Sequence, residues 1–171
     1  MNLYLLPGNS PHNKEWIKQV EEALKPLFKE TKVQFYKHWE TGEEIADLEY
    51  ESNKLKNDFK ENSLIFAKSL GIVITLKTIK EHKVKPKACI FAGAPINWCK
   101  KNNIPIETLL KGLKTKALFI QNKNDPAFSS KDLKELLEKN KLKNYKLIEL
   151  EGNTHEYSDL PKIKHLIEEF I

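Results

Sequence analysis

Short apolar runs alternate with amphipathic stretches along the whole chain. "LYLL" (3–6) stops at Pro7-Gly8 and reads as a strand. "EWIKQVEEALKPLF" (15–28) carries Trp16, Ile17, Val20, Ala23, Leu24 and Leu27 at helical spacing, interrupted late by Pro26. "KVQFYKHW" (32–39) alternates and is rich in β formers, which predicts a second strand. "TGEEIADLEYESNKLKNDF" (41–59) predicts a helix with a weak stripe at Ile45, Leu48, Leu55 and Phe59. "SLIFA" (63–67) is a third strand and "SLGIVITLKTIKEH" (69–82) the helix after it. "KACIFAG" (87–93), "TKALFIQN" (115–122) and "YKLIEL" (145–150) complete six predicted strands. "SSKDLKELLEKN" (129–140), capped at Ser129 or Ser130, and "LPKIKHLIEEFI" (160–171) are amphipathic helices. The stretch 94–114 holds Pro95, Trp98 and Pro105 around "IETLLKGL", which predicts a loop with a short helix.

Strands that are nearly all followed by helices predict a mostly parallel sheet covered on both faces, a three-layer α/β/α sandwich. No linker, internal repeat or low-complexity tract breaks the pattern, so residues 1–171 read as a single domain.

Composition narrows the functions open to such a domain. The chain is 40% hydrophobic and 31% charged, which is globular rather than disordered. No apolar run reaches the length of a membrane span, and "MNLYLLPGNSPHN" has too short an apolar part for a signal peptide. A soluble, cytoplasmic protein is expected. Cys89 and Cys99 match no metal spacing and form no disulfide framework. His12, His38, His82 and His165 share no metal-ligand spacing either, so no metal and no cofactor is expected. The net charge of +5 raises nucleic acid as a partner, but all 29 basic residues are lysine. Without arginine there is no bidentate fork for phosphate or guanine, and the lysines are interspersed with 24 acidic residues. Neither nucleic acid nor membrane is an expected partner.

In parallel α/β sheets ligands bind at the carboxyl ends of the strands. The turn after the first strand, "PGNSPHNKE", carries neither phosphate-binding glycine motif. Three other strand ends carry a different set. Ser69 follows the third strand in "AKSLG", Asp125 follows the fifth in "NDPAF", and His155 follows the sixth in "GNTHEY". Taken singly, Ser69 reads as a helix N-cap, Asp125 as an Asp-Pro turn and His155 as a loop histidine.

In the order serine, aspartate, histidine the chain resembles the α/β-hydrolases over nearly its whole length, and most closely their small, lidless serine hydrolases. The resemblance implies a minimal α/β-hydrolase fold with sheet order 2-1-3-4-5-6. Ser69 would be the nucleophile, His155 the general acid and base, and Asp125 its orienting partner. The backbone N–H groups of Leu70 and Asn9 would form the oxyanion hole. Two departures stand out: Ala67 where the family usually has glycine, and Pro7 where histidine is frequent. Trp39 and Trp98 follow strand ends and read equally as pocket lining or as packing. Lys68, beside the nucleophile, is expected to point away from the turn. The implied activity is cleavage of a small ester or thioester through an acyl-enzyme, with the acyl substrate as the partner. The alternative from another class is a hydrolase-like domain that binds without turnover.

Overall fold

Alternation along each strand sorts the apolar side chains onto two faces. The computed structural model describes residues 1–171. In β1 (Asn2–Leu6), Leu3 and Leu5 point to one face while Tyr4 and Leu6 point to the other. The smaller core, with Phe66, Ile90 and Leu118, lies under α1 (Asn13–Leu24) and α8 (Leu160–Phe170). The larger core, with Ile65, Phe91 and Phe119, lies under α3 (Leu48–Asp58), α4 (Leu70–His82) and α7 (Ser130–Lys139). Between the layers run β2 (Glu30–Val33), β1, β3 (Ser63–Lys68), β4 (Ala88–Ala92), β5 (Lys116–Asn122) and β6 (Tyr145–Leu150), in that spatial order. Every pairing is parallel. Both the three-layer architecture and the 2-1-3-4-5-6 order are as expected. Central β3 and β4 are buried along their whole length, whereas edge strands β2 and β6 alternate with solvent.

The expected boundaries between residues 32 and 59 need correction. β2 ends at Val33 rather than Trp39, because a buried carboxylate draws the chain off the sheet edge. Glu51 in α3 accepts from Gln34 Nε2 at 2.7 Å and from the Lys37 N–H at 2.8 Å. His38–Thr41 then form a single helical turn, α2, closed by Gly42 at φ +85°. The long helix starts at Leu48 rather than residue 41, since Asp47 caps it by accepting from the N–H groups of Glu49 and Tyr50. The stretch 94–114 holds two short helices, α5 (Ile96–Lys101) and α6 (Ile106–Leu110), where one was expected. No helix is long and apolar enough to cross a membrane.

Candidate active site

β3 runs into α4 through one residue, Ser69. Its backbone sits at φ +51°, ψ −117°, a region that a residue with a Cβ enters only under strain. The Ser69 N–H donates to Ala92 O at the end of β4 (3.1 Å), which pins the turn across the sheet. Although Ser69 occupies the N-cap position of α4, its side chain makes no capping bond. The simple capping role is therefore excluded, and the hydroxyl is left partly exposed at the carboxyl edge of the sheet.

Tight approach of strand and helix is concentrated at Gly71. A Cβ there would lie 2.5 Å from Leu6 O, and the Gly71 N–H donates to Pro7 O at 3.1 Å. Ala67, the departure from the expected glycine, is fully buried in the larger core between Leu6 and Phe91 of the neighbouring strands. Its methyl is accommodated as core.

Asp125 and His155 come together from the loops after β5 and β6. His155 Nδ1 lies 3.0 and 2.9 Å from the two carboxylate oxygens of Asp125, whose side chain is fully buried. Oδ1 also accepts the Ala127 N–H at 2.8 Å, and Oδ2 accepts the Tyr157 hydroxyl at 2.7 Å. The loop bearing His155 is clamped on both sides. Asn122 Nδ2 donates to Thr154 O and Glu156 O at 2.9 and 3.0 Å, and Trp16 Nε1 donates to Tyr157 O at 3.0 Å. Both hydrogen bonds of the His155 ring are made at Nδ1, so Nε2 is free, and Ser69 Oγ makes none within the protein. The expected contact with Asp125 is present, while Ser69 and His155 share no hydrogen bond.

Gly93, at φ +67° just past β4, makes room for the histidine. An added Cβ would lie 2.7 Å from Tyr157 Cε2 and 2.9 Å from His155 Cε1. Gly93→Ala is expected to lower stability by about 2 kcal/mol, from overpacking and the positive φ together. Chemical denaturation checks this, and unchanged stability would mean that the histidine loop is not braced on β4.

The loop after β1 is held at four points of a single residue. The Asn9 carbonyl accepts from Trp39 Nε1 at 2.7 Å and from His38 Nε2 at 2.9 Å. Its side chain donates to Glu44 O (2.8 Å) and accepts the Ala46 N–H (3.1 Å). The N–H groups of Asn9 and Leu70 are both without a hydrogen-bond partner in the protein. One sits on this clamped loop and the other at the amino end of α4, where the helix dipole favours negative charge.

By sequence, no family model and no curated protein matches the chain. Solved structures do. Est1E from Butyrivibrio proteoclasticus, solved with ferulic acid bound, superposes with a TM-score of 0.70 at 17% identity, over 99% of this chain and 88% of that one. Mouse α/β-hydrolase domain-containing protein 10 gives 0.73 at 13% identity, over 98% and 88%. The Pyrococcus furiosus esterase Pf2001 gives 0.69 at 16% identity, over 99% and 79%. The chain has the α/β-hydrolase fold.

Within that α/β-hydrolase fold, the remaining candidate residues are placed as follows. Trp39 is drawn to the strand ends by its bond to Asn9 and packs on Tyr36, with ring centroids 5.2 Å apart. Trp98 packs on the larger core from α5 and makes no hydrogen bond to Ser69, Asp125 or His155. Lys68 does point away from the turn, to the α1 face. Its Nζ donates to Asn13 Oδ1 at 2.8 Å and lies 5.1 Å from the Trp16 ring. Burial lowers its pKa, while Glu156 and Asp125 oppose that shift. Both cysteines are buried, and burial pushes the Cys99 thiol up to about 12, so neither is a ready nucleophile. A cavity of about 620 Å³ lies at the opposite, amino end of the strands, lined by residues such as Lys83, Lys111 and Leu113. Sequence reasoning missed Tyr157, Asn122, Gly93 and His38 as supports. The one signal for Tyr157 was its spacing, two residues beyond His155.

Proposed function

We propose that the protein is a serine hydrolase that cleaves small esters or thioesters through an acyl-enzyme. The observation that carries this reading is the strained, uncapped Ser69 at a strand-to-helix turn, in a fold whose Asp125 and His155 are already paired. His155 Nε2 takes the Ser69 proton as Oγ attacks the acyl carbonyl, and Asp125 holds the tautomer and stabilises the imidazolium. Negative charge on the former carbonyl oxygen is received by the Leu70 and Asn9 N–H groups. The tetrahedral adduct collapses, His155 protonates the leaving group, and water activated by the same imidazole releases the acid.

A fluorophosphonate probe tests the reading without a known substrate. The expected result is one covalent adduct per chain, mapped to Ser69 and absent in Ser69→Ala. Folded protein that stays unlabelled would instead support the binding-domain alternative, which the missing Ser69–His155 hydrogen bond keeps in play.

The clamp on Asn9 makes a second testable point. His38→Leu removes one of two donors to the Asn9 carbonyl and is expected to lower kcat on a short acyl ester about tenfold, with KM unchanged. His38→Gln places an amide N–H near the position of Nε2 and should recover most of the loss. Equal kinetics in wild type and His38→Leu would exclude His38 from setting the oxyanion loop.

A further inference from the structure

Tyr157 sits two residues past His155, is 2% exposed, and has no role in the steps above. Its hydroxyl bridges two groups that the reaction needs to stay fixed. It accepts the Asn122 N–H at the end of β5 (3.1 Å) and donates to Asp125 Oδ2 (2.7 Å). The ring stands edge-on to His155, with centroids 6.3 Å apart and planes at 86°. The Tyr157 carbonyl is tied to Trp16 on α1. One loop therefore delivers both the histidine and a donor to the histidine's own carboxylate partner. Burial raises the phenol pKa well above its usual value, so the hydroxyl remains a donor throughout the working range.

We propose that Tyr157 is a positioning residue that sets the basicity of His155 through Asp125. This rests on the serine-hydrolase reading only for its catalytic consequence; the effect on the histidine's titration follows from the contacts alone. A donor on Oδ2 withdraws charge that the carboxylate would otherwise offer to the imidazolium. With that donor gone, Asp125 holds the imidazolium more strongly, and His155 keeps its proton to higher pH. Charged groups near the pair include Glu156 on the same loop and Lys68 at the end of β3, which interacts with both Asp125 and Glu156. Both are retained in the variants below, so their contribution cancels in the comparison.

The experiment follows the His155 ring by nitrogen NMR across pH in wild type, in Tyr157→Phe, and in protein with 3-fluorotyrosine at position 157. The phenylalanine variant should titrate at higher pH than wild type, by about half a unit or more. The fluorinated variant keeps the ring and hydroxyl, adds one small substituent atom to the ring and strengthens the donor, so it should titrate at lower pH; it also serves if the phenylalanine variant fails to fold. On a short acyl ester, the acid limb of kcat/KM should move in the same directions, with kcat of Tyr157→Phe lowered about three- to tenfold and KM unchanged. Coincident titrations overturn the proposal, as do shifts of the same sign in the two variants. The absence of ester turnover in wild type would count against the hydrolase reading, while the titrations still decide the role of Tyr157.

Discussion

Ser69→Ala is expected to lower kcat on a short acyl ester by on the order of 10⁵-fold without lowering the melting temperature. On the proposed mechanism the loss is large because no neighbouring group could replace the Ser69 hydroxyl. Both thiols are buried with raised pKa values, and Ser69 is the single, strained residue between β3 and α4. Stability should hold because Ser69 Oγ neither caps the helix nor bonds within the protein. Ser69→Gly separates strain from chemistry. It should be equally inactive yet more stable than Ser69→Ala by about 1 kcal/mol, since glycine occupies φ +51° without a Cβ penalty. Steady-state kinetics with thermal melts of both variants check this. Residual turnover within tenfold of wild type in Ser69→Ala would exclude Ser69 as the nucleophile, and equal melting of the two variants would exclude stored strain.

Gly71→Ala is expected to be the most damaging single-methyl substitution for folding, at about 3 kcal/mol or more. The added Cβ would lie 2.5 Å from Leu6 O, 2.8 Å from Leu6 Cβ and 2.9 Å from Leu6 C. Those are atoms of the inner strand β1, hydrogen-bonded into the sheet between β2 and β3, and so cannot step aside. Helix α4 cannot retreat either, because the Gly71 N–H is bonded to Pro7 O. For a chain of this size the loss corresponds to a fall in melting temperature of about 10 °C. Gly42→Ala is a control, as a Cβ there meets no atom within 4 Å and only the positive φ is penalised. Equal melting of the two variants would show that the strand–helix contact at Gly71 is not tight. Activity should fall alongside stability in Gly71→Ala, since the same contact seats the Ser69 turn.

Much of the fold was legible because strands buried on both faces leave unbroken apolar runs. "SLIFA" and "KACIFAG" lie where β3 and β4 were expected, and the helices that follow or flank them fill the intervals. The misplacement of β2 has a specific cause. Residues 32–39 alternate as a strand should, but the partner that decides their path is Glu51, a buried carboxylate in α3 whose contacts with Gln34 and Lys37 no local pattern reveals. Period alone cannot register a competing hydrogen bond from a distant element.

The candidate site divides along the same line. Local patterning was enough to put Ser69, Asp125 and His155 at the carboxyl ends of the strands, since each follows a recognisable strand and turn. Long-range packing sets the rest: Asp125 and His155 meet, Ser69 caps nothing, Ala67 is core while Gly71 bears the close approach, and Tyr157, Asn122 and the His38–Trp39 pair brace the loops. Positions along the chain follow from local periodicity. Hydrogen bonds between loops depend on where remote segments land, and a few tenths of an ångström there separate a working donor from an idle one.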